Sequence, residues 1–140
     1  DGGTNAKAIA AQIEKTEAEL IARGSVNALA VAKRLTAARQ AFVDVVEFIA
    51  ANTRSNPNAA FAGSVPYLML AGNVVAGWQL ARALLVAEDQ LAAGTDAAFM
   101  QAKITTARFY AEHILTRAPG VRDAVVEGAH SVTAMALESF

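Results

Sequence analysis

Apolar residues recur at three-and-four spacing along most of the chain, which is the periodicity of helices that bury one face. Glycine, proline and asparagine interrupt this pattern at four places: Gly24-Ser25, Asn56-Pro57-Asn58, Gly94-Thr95 and Ala118-Pro119-Gly120. The breaks leave five predicted helices joined by short loops, an arrangement in which successive helices lie antiparallel. The pattern therefore predicts one domain over residues 1–140 with an all-α fold, an up-and-down antiparallel bundle of four to five helices.

The first two predicted helices are amphipathic. One runs from about Thr4 to Arg23, and Gly24 suits the left-handed position that ends it. Its inward stripe is Ile9, Ile13, Thr16 and Leu20, and the charged residues mostly off the stripe are Lys7, Glu14, Glu17 and Glu19. The other starts at a Ser25 N-cap and runs to about Thr53. Its inward positions are Leu35, Ala38, Phe42, Val45, Val46 and Ile49.

The third segment carries no charge between Arg54 and Arg82 and has apolar residues on several faces. It is long enough to span a bilayer, but polar and helix-breaking residues interrupt it: Ser64, Pro66, Asn73 and Gln79. We therefore predict a helix that starts near Pro66, is buried all round as the inner axis of the bundle, and does not lie in a membrane.

The last two predicted helices begin at recognisable caps. The fourth follows Thr95-Asp96 and runs to about Arg117, and the fifth follows Pro119. The predicted core positions of the fourth are Phe99, Ala102, Thr106, Phe109, Tyr110 and Ile114. Those of the fifth are Val121, Val125, Gly128, Val132 and Met135.

Composition removes several classes of function. The chain has 140 residues, 12 basic and 13 acidic side chains, a formal charge of -1 and no cysteine. The absence of cysteine excludes disulfide scaffolds, thiolate metal sites and a cysteine nucleophile. The near-neutral charge argues against a nucleic-acid partner, although Lys33, Arg34 and Arg39 form a small basic patch. The opening Asp1-Gly2-Gly3-Thr4 has no methionine and no apolar signal region, so we expect a processed or trimmed cytoplasmic product.

Two histidines raise the question of catalysis. Glu127 and His130 have the spacing of a di-iron ligand pair, but the other histidine, His113, has Tyr110 three residues before it and half of the ligand set is missing. A hydrolase triad of Asp123, His130 and Ser131 is disfavoured because adjacent helical residues point about 100° apart. We expect Glu127 and His130 to face solvent or a partner. His113 is expected to pack on Phe109 and Tyr110 and donate to a carbonyl.

Aromatic and glycine residues likewise give no clear ligand site. The aromatic residues, including Trp78, Tyr67 and Tyr110, have helical spacing and are predicted to be core residues. Gly2-Gly3 lacks a phosphate-binding pattern and is predicted to be a linker. We therefore assign no catalytic, cofactor-binding or metal-binding residue.

Four short sequence motifs occur in this order along the chain: Pro66-Tyr67-Leu68, Gly72 to Trp78, Lys103 to His113, and Gly128 to Val132. They resemble the helical C-terminal extension of bacterial acyl-CoA dehydrogenases, particularly the long class that includes methylmercaptopropionyl-CoA dehydrogenase. The likeness is strongest over residues 66–140 and weaker over residues 1–58.

The resemblance implies a parent enzyme in which FAD accepts a hydride from the acyl β-carbon while a glutamate removes an α-proton, giving a trans-2-enoyl-CoA. Those groups belong to the main body of that family, so none transfers to a residue of this chain. A small-residue surface at Gly72, Ala76 and Gly77 suggests a non-catalytic domain that packs on the main body of its own polypeptide or within a homo-oligomer, serving assembly or active-site shaping. The alternative is a free-standing helical module that binds a partner protein.

Overall fold

The computed structural model describes residues 1–140 and contains no β-strand, so the predicted all-α fold is confirmed. Its helices are α1 (Thr4–Arg23), α2 (Val26–Ser55), α3 (Pro57–Ala62), α4 (Ser64–Ala92), α5 (Ala97–His113) and α6 (Ala118–Val126). There are also three short 3-10 turns: Leu115–Arg117 lies between α5 and α6, and Ala129–Thr133 and Leu137–Ser139 follow α6.

The four long helices run alternately up and down, as the short loops predict. The contacts that set these directions are Lys7–Glu47 and Glu17–Arg39 between α1 and α2, Thr16–Trp78 and Arg23–Glu88 between α1 and α4, and Asn73–Tyr110 between α4 and α5. Helix α1 is therefore antiparallel to α2 and parallel to α4, and α5 returns antiparallel to α4.

Local capping accounts for the boundaries of the first helices. Gly24 adopts φ 68° at the end of α1, and its N–H donates to the carbonyl of Leu20. Ser25 then caps α2, because its hydroxyl accepts a hydrogen bond from the N–H of Ala28 at 3.0 Å. Asn56 caps α3 in the same way, and Pro57 occupies the first turn, where no backbone donor is needed.

Helix α2, and not α4, is the central helix of the bundle. Every other α-helix contacts α2, and its buried residues are Ala28, Val31, Ala32, Leu35, Ala38, Ala41, Phe42, Val45 and Val46. Helix α4 buries only one face, and its Val65, Leu68 and Met69 side chains are exposed. The prediction that α4 is buried all round was therefore wrong, because an uncharged surface does not dictate that neighbouring helices cover every side of a helix.

Helix α4 is long and apolar enough to cross a bilayer by length and composition alone, and 33% of its most apolar window is buried in the bundle. A core helix of a water-soluble bundle meets the same criterion. The absence of a membrane partner stays a prediction.

Helix α5 presents a different face to the core from the one that the sequence predicted. Its buried residues are Ile104, Ala107 and Ala111, whereas Phe99 and Phe109 are 51% and 58% exposed. Two alanines on the buried face allow α5 to lie close to its neighbours α2 and α4, and a phenylalanine ring at those positions would hold the helices apart. The prediction of an inward Phe99 and Phe109 was therefore wrong.

The chain leaves α5 at His113, four residues earlier than predicted, and forms a 3-10 turn. This turn places Leu115, which is 1% exposed, directly against Gly77 of α4. A Cβ built on Gly77 would lie 2.8 Å from both terminal methyl carbons of Leu115. Because Gly77 has no side chain, it leaves a notch in the surface of α4, and the side chain of Leu115 fills this notch.

The fifth predicted helix also ends early. Helix α6 stops at Val126, and Val132 and Met135, predicted to face the core, are 65% and 62% exposed. The N–H groups of Glu127 and Gly128 both donate to the carbonyl of Asp123, which closes the helix. Because the chain beyond this point forms only short turns, the apolar spacing of its residues produces no buried stripe.

Gly77→Val is expected to destabilise the domain by about 1–3 kcal/mol, because the added side chain overpacks the contact with Leu115. The matched control is Gly72→Val on the same helix, where a Cβ meets nothing within 4 Å. Thermal unfolding followed by circular dichroism at high protein dilution compares the two. Equal unfolding temperatures for both variants would show that the notch is not tightly packed.

Candidate functional site

The Glu127 and His130 pair does not share a helical face in the structure. Glu127 follows the end of α6 and its carboxylate accepts a hydrogen bond from Arg122 at 2.6 Å. His130 lies in the 3-10 turn at Ala129–Thr133 and is exposed. The i, i+3 spacing therefore places neither group toward the interior of the bundle, and Glu127 is already paired with a cation.

Arg122 organises this corner of the molecule. Its guanidinium contacts Asp44 of α2 at 3.2 Å, Asp123 at 2.8 Å and Glu127 at 2.6 Å. The hydrogen bonds with Asp123 and Glu127 raise the pKa of Arg122 above its usual range. The cluster joins α6 to α2, which is a structural role. It also includes Asp123, the acid considered for a hydrolase triad, which is paired with Arg122.

The remaining triad candidates point elsewhere. The Ser131 hydroxyl donates to the carbonyl of Gly128 at 2.8 Å, so it is not aligned with His130. His113 stacks on Phe109 with ring centroids 4.3 Å apart, as predicted, but it is exposed and its ring makes no hydrogen bond to a carbonyl. The prediction of a donated hydrogen bond from His113 was wrong, because its helix turns that side chain outward.

The one buried carboxylate belongs to a residue that the sequence placed on the surface. Glu17 is 4% exposed and accepts hydrogen bonds from Arg39 Nε at 2.6 Å, Arg39 Nη2 at 3.1 Å and the Thr36 hydroxyl at 3.0 Å. These hydrogen bonds raise the pKa of Arg39 above its usual range. The buried carboxylate therefore links α1 to α2 through Arg39 and Thr36.

The spacing contained a signal for this buried pair. Glu17 lies four residues after Ile13 and three before Leu20, both fully buried, so it belongs to their helical face. The assignment to the surface relied on charge alone. The pairing also takes Arg39 out of the basic patch predicted with Lys33 and Arg34. The absence of a nucleic-acid partner stays a prediction.

The aromatic residues that were candidates for a ligand pocket instead pack separately around the core. Tyr67 stacks on Phe42 at 6.1 Å, and Trp78 Nε1–H donates to the Thr16 hydroxyl at 2.8 Å. The Tyr110 hydroxyl donates to the carbonyl of Asn73 at 3.1 Å, and burial raises the pKa of Tyr110. The three residues are packed against the core, as predicted, and do not converge on one site. Phe42 and Phe48 also belong to the core, but the prediction was wrong for four exposed phenylalanines, Phe61, Phe99, Phe109 and Phe140.

A cleft of about 690 Å³ lies at one end of the bundle between the start of α1 and the end of α2. The residues that line it are Asp1, Gly2, Gly3, Asn5, Ala6, Val46, Ile49, Ala50, Thr53, Arg54 and Tyr67. The carboxylate of Asp1 already accepts hydrogen bonds from the N–H groups of Gly3 and Asn5. The cleft is open and has one free cation, so these residues do not fit a flavin dinucleotide, whose pyrophosphate is held by several backbone N–H groups.

The surface offers a more distinctive feature than any cleft. Exposed apolar and small residues follow one another along α3 and α4, and we call this set the α4 stripe. Its members are Phe61, Val65, Leu68, Met69, Gly72 and Ala76. Gly77, which the sequence grouped with Gly72 and Ala76, is buried against Leu115 and does not belong to this surface. The arrangement suits contact with another apolar surface more than chemistry.

Comparison with known proteins agrees with the resemblance drawn from the sequence. Residues 7–136 match the model of a family described as acetyl-CoA dehydrogenase C-terminal like. The chain is 41% identical over 137 residues, 98% of its length, to a 3-methylmercaptopropionyl-CoA dehydrogenase of Ruegeria pomeroyi. It spans only 23% of the length of that relative.

The buried ion pair gives a test of how the first two helices are held together. Arg39→Met is expected to cost about 3–5 kcal/mol, because it leaves the Glu17 carboxylate buried without its cation. The double variant Glu17→Met with Arg39→Met is expected to lie within about 1 kcal/mol of the original chain. Urea unfolding followed by fluorescence of the single tryptophan, Trp78, measures both. The single variant Glu17→Met completes the comparison. If the losses of stability caused by Glu17→Met and by Arg39→Met simply add in the double variant, the pair does not interact as described.

Proposed function

The chain belongs to the family of acetyl-CoA dehydrogenase C-terminal-like domains, and on that premise we propose that it is the non-catalytic C-terminal domain of an FAD-dependent acyl-CoA dehydrogenase. The parent reaction converts an acyl-CoA to a trans-2-enoyl-CoA. FAD, bound by the main body of the parent, supplies the hydride acceptor. The observation that carries the proposal is 41% identity, across 98% of this chain, to a dehydrogenase of which the chain spans 23%.

The side chains of this domain support a non-catalytic role within the parent. The buried carboxylate of Glu17 is saturated by donors, and the Glu127 carboxylate is paired with Arg122. Both histidines are exposed, His113 at the end of α5 and His130 beyond α6. Acyl-CoA oxidation needs a base that is held beside the substrate and the flavin. We propose that the parent's main body supplies this base.

The domain's contribution is assembly or shaping of the active site. A bundle with its own core of 24 buried residues presents a rigid surface to the rest of the polypeptide. The α4 stripe is uncharged and exposed, as a surface that packs on another protein surface would be. We propose that the parent is a cytoplasmic homo-oligomer in which this bundle packs on the main body or across a subunit interface.

A free-standing helical module that binds a partner protein is the second candidate. The observation in its favour is that the bundle is closed in itself: every buried side-chain polar atom has a hydrogen-bond partner. Such a domain does not need a parent enzyme in order to fold. The two candidates differ in whether a flavin-binding polypeptide carries this chain.

Flavin retention separates the two candidates. The 140-residue chain, incubated with FAD and acyl-CoA substrates of several lengths, is expected to emerge from gel filtration colourless and to show no dehydrogenation. The full-length polypeptide that contains it is expected to purify with flavin absorbance and to reduce an artificial electron acceptor when acyl-CoA is added.

The control is the full-length polypeptide with this domain deleted, which is expected to keep a flavin signal if it remains folded. Flavin binding or turnover by the 140-residue chain alone would refute a non-catalytic role. A full-length polypeptide without flavin would refute the parent activity and favour the interaction module.

A further inference from the structure

The α4 stripe is a large uncovered apolar surface. Its four large members, Phe61, Val65, Leu68 and Met69, are 65%, 69%, 69% and 59% exposed. Together they expose on the order of 500 Å², which is near the upper end of the largest apolar patch found on typical monomers. No charged residue lies between Arg54 and Arg82, so the stripe is also free of charge within α3 and the first half of α4.

Gly72 lies within this stripe and has no role inside the protomer. A Cβ added there meets nothing within 4 Å, and its backbone is helical without a positive φ. Glycine inside a helix is less favourable than alanine, so a glycine that serves no internal packing weakens the helix. Gly77 differs, because Leu115 occupies the space beside it. The absent side chain of Gly72 is useful only to a surface that approaches α4 from outside.

The order of large and small residues along α4 indicates what that surface is. Val65, Met69, Gly72 and Ala76 lie within an arc roughly 60° wide on α4, with the large side chains first and the small ones after them. A two-fold axis midway between positions 69 and 72 pairs two of the large residues, Val65 and Met69, with small residues on an antiparallel copy. Met69 then stands opposite the partner's Gly72, and Val65 stands opposite the partner's Ala76.

We propose that the α4 stripe is a two-fold interface at which α4 of one copy of this chain packs antiparallel on α4 of a second copy. The proposal specifies the assembly role given above and rests on it. The small residues let the two helix axes approach closely while the large residues of each copy fill the space above the small residues of the other. Every large-to-small pair occurs twice, because the contact is symmetric.

The area and charge of the stripe fit a second copy. Two stripes together can remove at most about 1,000 Å² from water, the size at which a specific protein interface becomes possible. Neither copy brings a charge to the contact, so none is buried without a partner. A lipid surface fits less well, because helices that lie on membranes have Lys and Arg around their apolar face. The nearest cation along α4, Arg82, lies over the Trp78 ring at 5.7 Å.

Association is tested by substituting Gly72 and a matched glycine. Gly72→Leu places bulk where the partner's Met69 must sit, so it is expected to weaken dimerisation at least tenfold in sedimentation velocity. Gly120→Leu is the control, because Gly120 lies in α6 and a Cβ there also meets nothing within 4 Å. It is expected to leave dimerisation unchanged. Melting temperatures at high dilution check that both variants fold, and neither should fall.

The register is tested by crosslinking, which the absence of cysteine makes unambiguous. Chains with Met69→Cys are mixed with chains carrying Gly72→Cys and mildly oxidised, and a covalent heterodimer is expected. Val86→Cys replaces one member in the control mixture, because Val86 is 59% exposed on the same helix outside the stripe. The experiment is done with the 140-residue chain and with the full-length polypeptide, each in its own cysteine-free background.

Several results would overturn the proposal. A 140-residue chain that stays monomeric, or equal crosslinking in the Val86 control, removes the two-fold contact. Crosslinking of the short chain but not of the full-length polypeptide shows that the main body covers the stripe. Flotation of a monomeric chain with anionic phospholipid vesicles assigns the stripe to lipid. In each case the flavin experiment on the full-length polypeptide still decides the parent activity independently.

Discussion

Burial of the broad apolar face of α2 is the interaction on which the rest of the structure depends. All the other α-helices pack against α2, and nine of its residues are buried. A helix can be central only if the charges at the margins of its buried face have partners. Arg39 is paired with Glu17 of α1, and Asp44 is paired with Arg122 of α6. These ion pairs allow helices to pack on both sides of α2 without leaving a charge uncompensated.

The central position of α2 has a consequence for α4. Helix α4 is apolar on more than one face, but its neighbours in the bundle cover only the face that includes Leu70, Val74 and Ala81. The opposite face has nothing against it within the protomer, and it is there that Gly72 and Met69 are exposed. An apolar face that a bundle cannot cover internally is best explained by a contact outside the protomer. The two-fold interface proposed for the domain follows from this mismatch between the composition of α4 and its packing.

Three side chains that could take part in chemistry, those of Glu17, Tyr110 and Trp78, are used in contacts between helices. Its buried carboxylate, its tyrosine hydroxyl and its tryptophan N–H are all used to join helices, through Thr36, Asn73 and Thr16. A group committed to such a contact keeps the helices in register but cannot also transfer protons to a substrate. This use of the side chains supports our proposal that the domain supplies shape and surface and that the rest of the parent polypeptide carries the chemistry.

The sequence by itself determined the helical class, the ends of the first helices and the family. Gly24 and Ser25 act through their own backbone and side-chain hydrogen bonds, so their effect can be read locally. Only the tertiary structure decided which face of α5 is buried, that Glu17 lies inside, and that α2 rather than α4 is central. These outcomes depend on the fit between side chains of different helices, such as Leu115 in the notch at Gly77. Periodicity along one helix carries no information about the volume that a neighbouring helix leaves open.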